Sequence, residues 1–160
     1  MPGPRPVLAK KPCVYKHILI PTDGSRSADK ALEAGIEFAR REKAKVTLFT
    51  AVPEYRLPDE AEPPAGSAIS LSEHQRVSRE KAQAILQPAA ERLRAAGVEC
   101  DTAYSECDRP CEAIIETAQS RGCDLILMSS RGRHGPGDLG YGSEAHEVLS
   151  HSSIPTLVYR

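Results

Sequence analysis

The sequence predicts a single α/β domain in which a mostly parallel sheet is covered by helices on both sides. Short apolar segments of strand type alternate with segments of helical periodicity along the whole chain. The strand segments lack polar alternation, which is typical of strands that are buried on both faces. A chain of 160 residues is long enough to bury the core of one such domain.

The first part of the chain predicts two strands joined by a helix. Residues 17–21 form a short apolar strand that ends at its proline, and residues 23–25 supply turn and cap chemistry for a helix that runs to about Arg41. Residues 46–52, apolar and β-branched, predict the second strand. Residues 53–68 are rich in proline and acids, so we expect a loop there rather than a second domain.

The second part of the chain continues the same alternation. Its predicted elements are a long helix at about 71–96, a strand at 98–107, a helix at about 110–122, a strand at 125–128, a short helix at 143–150 and a last strand at 154–159. The long helix shows its apolar face at Val77, Ala82, Ile85, Ala89, Leu93 and Ala96. Pro88 lies inside that helix and should kink it.

Composition excludes several classes of function. The formal net charge is −1, there is no Trp and there are two Phe, so neither general nucleic-acid binding nor base stacking is expected. No apolar run is long enough to span a membrane, and residues 1–13 lack the apolar core of a signal peptide. We therefore expect a cytoplasmic protein with a flexible, Pro- and Lys-rich arm at 1–13 and a domain at 14–160.

Neither a metal site nor a catalytic constellation is predicted. The five cysteines form no C-x-x-C pair, and an odd count favours reduced thiols. Cys107 and Cys111 are four residues apart, but no His or second Cys pair with zinc spacing accompanies them. The sequence shows no Ser/His/Asp arrangement, so no catalytic residue is assigned.

A glycine-rich loop at 129–143 carries the chemistry. It leaves a buried strand and ends where a helix begins, and helix N-termini offer unpaired N–H groups that suit phosphate. Its glycines allow close approach of backbone to an anion, and Arg131 and Arg133 add positive charge. The Walker pattern is absent, and a G-x-G-x-x-G match at Gly135 lies too near the end of the chain for a dinucleotide fold.

The loop resembles a motif of ATP-binding universal stress proteins, G-x2-G-x9-G-[ST]. Gly132, nine further residues and Gly142-Ser143 match its second half, whereas Ser129 replaces the first glycine. Residues 15–25 are similar to the opening strand of that family and its P-x-D-x-S turn. Residues 124–128 and 154–158 are similar to its fourth and closing strands, so the resemblance spans about 14–160.

This resemblance implies a fold, a ligand and a site. The fold is an open parallel sheet of five strands in the order 3-2-1-4-5, of the adenine nucleotide alpha hydrolase-like type, with the ligand where the strand order reverses. The implied ligand is ATP, alone or with Mg²⁺. The implied nucleotide-binding residues are Pro21, Thr22 and Asp23 at the adenosine end, the Ala51 backbone at adenine, and Met128, Ser129, Arg131, Gly132, Gly142, Ser143 and the N–H of Glu144 at ribose and phosphates.

Three functions remain open at this stage. The first is a stress-response module that binds an adenine nucleotide, the second a nucleotide-free dimer that works through protein contacts, and the third a slow ATPase. Ser129 and the Glu144 carboxylate, which would repel phosphate, favour the second. The resemblance also implies a homodimer formed through the C-terminal strand. Asp23 has an alternative role as the cap of the first helix.

Overall fold

The computed structural model describes residues 14–54, 71–131 and 142–160 of the chain. Its strands are β1 (His17–Pro21), β2 (Lys45–Val52), β3 (Cys100–Glu106), β4 (Leu125–Ser129) and β5 (Thr156–Tyr159). Its helices are α1 (Arg26–Glu42), α2 (Leu71–Ala95), α3 (Pro110–Ser120) and α4 (Ser143–His151). The predicted arm at 1–13 lies outside the described residues. No helix in the described ranges is both long and apolar enough to cross a membrane.

The sheet confirms the predicted fold class. Its order is β3-β2-β1-β4-β5, and every neighbouring pair of strands is parallel. Each strand and helix agrees with its predicted segment to within about two residues at either end, which is the usual scatter of element boundaries.

Helices cover both faces, so the core has two halves. Alternation along β1 sends Ile18 and Ile20 to the half under α1 and α2, while Leu19 belongs to the half under α3 and α4. Gly35 of α1 allows that helix to lie close to the sheet, because a Cβ there would sit 2.6 Å from Ile20 Cδ1.

The buried face of α2 differs in part from the predicted one. Ala82, Ala89 and Leu93 are buried as expected, but Val77, Ile85 and Ala96 are only half-buried. The residues that complete the buried stripe are Ser78, Leu86 and Ala90. The helix continues through Pro88, whose side chain is exposed, so the proline lies on the solvent side and leaves the packing against the sheet intact.

The amino end of the sheet is tied together by two buried or half-buried polar groups. Asp124 precedes β4, and its carboxylate accepts the backbone N–H groups of Lys16 and His17 at 2.9 and 3.0 Å. His17 itself is 7% exposed, and its Nε2 lies 2.8 Å from Thr47 Oγ1 of β2. Burial lowers the pKa of His17 below 6.5, Lys45 acts in the same direction, and Asp124 opposes them. The folded protein therefore favours the neutral imidazole.

The depressed pKa of His17 makes stability depend on pH. Because the unfolded chain binds the His17 proton more readily, the stabilisation is complete above about pH 6.5 and is lost as the pH falls towards the lowered pKa. The slope for one proton is at most about 1.4 kcal/mol per pH unit. Urea unfolding at about pH 7.5 and pH 5.5 should show a smaller loss of stability in His17→Gln than in the parent. An equal loss in both proteins would contradict the assignment.

Candidate functional site

The strands β1 and β4 separate at the carboxyl edge of the sheet. β1 pairs with β2 along all of its residues, but it pairs with β4 only at Ile18 with Leu125 and at Leu19 with Ile126. Beyond those pairs the two strands lead into different turns, and this is the point where the strand order reverses. Open α/β sheets bind ligands at such a point, outside the carboxyl ends of the strands.

The turn after β1 forms one wall of this crevice. The Thr22 backbone N–H donates to the Phe49 carbonyl of β2 at 2.8 Å, and its Oγ1 accepts the Gly24 N–H at 3.2 Å. The Asp23 carboxylate accepts the Ser25 N–H at 2.9 Å. Ser25, rather than Asp23, is the N-cap of α1, since its hydroxyl accepts the Ala28 N–H. Asp23 therefore shapes the turn two residues before the N-cap.

The segment after β4 forms the opposite wall. The Ser129 hydroxyl donates to the Arg131 carbonyl at 2.7 Å, and the Ser130 N–H donates to the Tyr159 carbonyl of β5 at 2.8 Å. The Gly142 N–H then donates to the Ser130 carbonyl at 2.5 Å. The start of α4 is thus bonded directly to the end of β4, which places Ser143 at the crevice.

Gly142 has a steric reason to be glycine. A Cβ on this residue would lie 2.9 Å from the Ser130 carbonyl oxygen and 3.5 Å from the Arg131 Cα. Both neighbours are backbone atoms that cannot rotate away. The residue at this motif position must therefore lack a side chain for α4 to begin so close to β4.

The first turn of α4 offers backbone N–H groups that no cap side chain occupies. Its N-cap, Gly142, provides no side-chain acceptor, and the first bond of the helix runs from the His146 N–H to the Gly142 carbonyl at 3.0 Å. The earlier amides of a helix are unpaired within the helix and carry the positive end of its dipole. In α1 the Ser25 hydroxyl already serves one of these amides. The N-terminus of α4 therefore leaves more backbone N–H groups for an anion than the N-terminus of α1.

The Glu144 carboxyl is drawn towards the start of α3. Glu144 is exposed as a residue, but the protein around its carboxyl removes part of the water there and raises its pKa. The neighbouring Glu147 adds to this effect, and the Cys111 backbone N–H opposes it. The N-cap of α3, Arg109, makes no side-chain cap bond, so the Glu144 charge lies beside an N-terminus that lacks an acceptor. The carboxylate thus lies beside the favourable dipole at the start of α3.

The predicted site residues reach the same edge from three strands and one helix, with different exposure. Thr22 and Met128 are buried; Pro21, Asp23, Ala51, Ser129 and Gly142 are half-buried; Arg131, Ser143 and Glu144 are exposed. Ala51 lies one residue before the end of β2. Gly132, the second glycine of the motif, lies outside the described residues.

One polar cluster was missed by the sequence analysis. His74 Nε2 of α2 lies 3.0 Å from Glu106 Oε2 of β3 and 3.4 Å from Ser78 Oγ. Both contacts fall on the same ring nitrogen, so they do not form a relay from serine through imidazole to carboxylate. His74 and Glu106 belong to different elements, and no sequence pattern joins them. Within the described ranges, no group of three or more His, Cys, Asp or Glu could hold a metal ion.

Comparison with known proteins places the chain in a family. The model of the universal stress protein family matches residues 14–160. The chain belongs to the universal stress protein family. It is 31% identical over 150 residues to universal stress protein MJ0531 of Methanocaldococcus jannaschii, covering 92% of this chain and 83% of that protein. It is 26% identical over 152 residues to universal stress protein YxiE of Bacillus subtilis, covering 92% and 100%.

Solved structures of the family share the fold. A universal stress protein family member from Burkholderia pseudomallei superposes with a TM-score of 0.68 at 25% identity, covering 91% of this chain and 96% of that one. A universal stress protein in complex with cAMP has a TM-score of 0.67 at 22% identity, covering 91% and 97%. One from Archaeoglobus fulgidus in complex with dAMP has a TM-score of 0.64 at 19% identity, covering 92% and 99%.

The close approach at Gly142 yields a test on this universal stress protein. Gly142→Ala should lower the free energy of unfolding by roughly 1–3 kcal/mol, because backbone must move to accept the Cβ. The neighbouring Ser143→Ala is the control, since Ser143 is exposed and should cost less. Denaturant unfolding of the parent and both variants measures the difference. Equal stability of the two variants would show that the approach of α4 to β4 does not need glycine.

Proposed function

We propose that this universal stress protein binds an adenine nucleotide, ATP with Mg²⁺ foremost, in the crevice between the carboxyl ends of β1 and β4. The observation that carries the proposal is the uncapped N-terminus of α4, which the Gly142–Ser130 bond holds against the end of β4. That arrangement presents backbone donors to an anion at the point where the sheet opens. The function is that of a binding module whose contacts with partners respond to nucleotide under stress.

Two family structures support the adenosine part of this assignment. Their ligands, cAMP and dAMP, share adenine, a pentose and one phosphate, while differing in the sugar and in the phosphate linkage. A crevice that accepts adenosine phosphates fits the present geometry, with Ala51 at the end of β2 and the Thr22 turn on one side. The preference for a triphosphate rests on the glycine-rich loop and Arg131.

Different residues are assigned to different parts of the ligand. Pro21, Thr22, Asp23 and the Ala51 backbone receive the adenosine, while Met128 and Ser129 lie at the ribose. The phosphate groups are assigned to Arg131, Gly132, Gly142, Ser143 and the Glu144 N–H. Ser129 can serve here despite its Cβ, because its hydroxyl proton is already given to the Arg131 carbonyl and its oxygen remains an acceptor for a ribose hydroxyl.

Calorimetric titration with Mg-ATP tests this assignment. Gly132→Asp should weaken binding by at least about tenfold, because it brings a Cβ and a negative charge to the phosphate loop. Ser143→Ala should cost less, about 0.5–1.5 kcal/mol, since it removes one hydroxyl contact and leaves the amides. Glu144→Gln should tighten binding, because it removes a charge that repels phosphate and keeps an oxygen for the Cys111 N–H.

Thermal unfolding of each variant serves as the control for folding. The absence of heat from the parent at millimolar Mg-ATP, AMP and cAMP would end the proposal of nucleotide binding. Equal affinity in the parent and Gly132→Asp would place the ligand elsewhere on the protein.

We also propose that two copies associate through β5. This strand is at the edge of the sheet, so one row of its N–H and C=O groups is left without a neighbouring strand within the described part of the chain. Leu157 and Tyr159, on the opposite face of β5 from Val158, are 36% and 39% exposed. Val158 points the other way, against the core under α3 and α4. An apolar edge of this kind favours pairing with a second strand.

Sedimentation should show a dimer for the parent and a monomer for Leu157→Lys, because the substitution puts a charge on the exposed face of β5 without touching the core. Tyr104→Lys is the matched control, since Tyr104 is 39% exposed on β3 at the opposite edge. It should remain a dimer. A dimer that survives Leu157→Lys but not Tyr104→Lys would move the interface to the other edge.

A further inference from the structure

Helix α2 is attached to the sheet by different chemistry in its two halves. The half at 86–95 is attached by apolar burial, through Leu86, Ala89, Ala90 and Leu93. In residues 72–85 the buried side chains are Ser78 and Ala82, while Val77 and Ile85 are half-buried. The first half therefore buries little apolar surface against the sheet.

Polar groups take the place of apolar packing under the first half. His74 lies 3.0 Å from Glu106, the last residue of β3, and 3.4 Å from Ser78. Thr50 of β2 alternates with Leu48 and Val52, so it faces the same side of the sheet as α2. Thr50 is 1% exposed, and its hydroxyl has no hydrogen-bond partner in the described structure. Polar contacts of this kind can be exchanged for water, whereas apolar burial cannot.

The helix is weakened where the two halves meet. Pro88 has no N–H, so the Ala84 carbonyl lacks its normal helical donor. A cleft of about 300 Å³ lies at the same place, with α2 on one side and Thr22, Gly24 and Asp29 on the other. Its lining on α2 is Ala84, Ile85, Pro88, Ala89 and Arg92. A missing backbone bond and a surface cleft thus coincide near Pro88.

We propose that α2 is hinged at the turn between Ala84 and Pro88 and that residues 71–85 open from the carboxyl edge of the sheet as a unit, while residues 86–95 stay docked. The His74–Glu106 contact is the fastening of the closed state. Opening exposes the Thr50 hydroxyl and widens the cleft beside Thr22, whose backbone also borders the crevice between β1 and β4. The device is independent of the ligand that the crevice accepts.

Amide hydrogen exchange on the full chain without ligand tests the hinge. The comparison uses residues 76–87 and 92–96, because the first N–H groups of a helix have no helical partner. The first set should exchange at least about tenfold faster after correction for intrinsic rates, which corresponds to about 1.4 kcal/mol in opening free energy. A single rate for both sets in the parent protein would overturn the proposal.

Three alanine variants locate the fastening and the hinge. His74→Ala removes the contacts with Glu106 and Ser78 and keeps helix propensity, so it should speed exchange in 76–87 and leave 92–96 unchanged. Pro88→Ala restores the donor for the Ala84 carbonyl and should slow exchange in 76–87 towards the rate of 92–96. Lys81→Ala, at an exposed position of the same half, should change neither set.

Each variant can also contradict the hinge. Equal acceleration of both sets by His74→Ala would mean that the contact acts on global stability. A Pro88→Ala protein with the parent's difference between the halves would remove the proline from the mechanism. Faster exchange of 76–87 in Lys81→Ala, as large as in His74→Ala, would show that the His74–Glu106 contact is not the fastening.

Discussion

The limited pairing between β1 and β4 is the constraint on which the rest of the molecule depends. β1 is the central strand, and Asp124 fixes its start beside β4 through the backbone of Lys16 and His17. Joined firmly at their amino ends, the two strands diverge towards their carboxyl ends and lead into turns that point to opposite sides. The crevice follows from this geometry before any side chain contributes to it, because the strand order reverses there.

Ser129, which departs from the family motif, and Glu144, which follows its last residue, have local roles that the motif alone does not reveal. Ser129, in place of a glycine, donates its hydroxyl to the Arg131 carbonyl and so shapes the beginning of the loop. Glu144 lies beside the Cys111 N–H at the start of α3, which has no side-chain cap of its own. Both residues therefore contribute to the framework around the crevice.

The fold could be predicted from the sequence because its strands are short apolar segments separated by clear turn residues. The site could be predicted only as far as local patterns reach: Gly142 and Ser143 follow from the motif, but the reason for Gly142, the approach to Ser130, is a contact between distant turns. The His74–Glu106 contact left no sequence signal, since its partners are 32 residues apart. The buried face of α2 was partly misassigned because Leu86 and Ala90, not Ile85, turn towards the sheet.

The buried residues of α2 also explain why this helix is packed less firmly at one end than at the other. A helix with a continuous apolar stripe is held along its whole length, but a stripe that passes through Ser78 and above Thr50 loses that support at one end. That end lies over the carboxyl edge, where the crevice opens, whereas the apolar end lies over the amino edge near Val98. The apolar packing of α2 is therefore concentrated at the amino edge of the sheet, away from the candidate site, and the part of α2 with the least apolar support lies at the carboxyl edge.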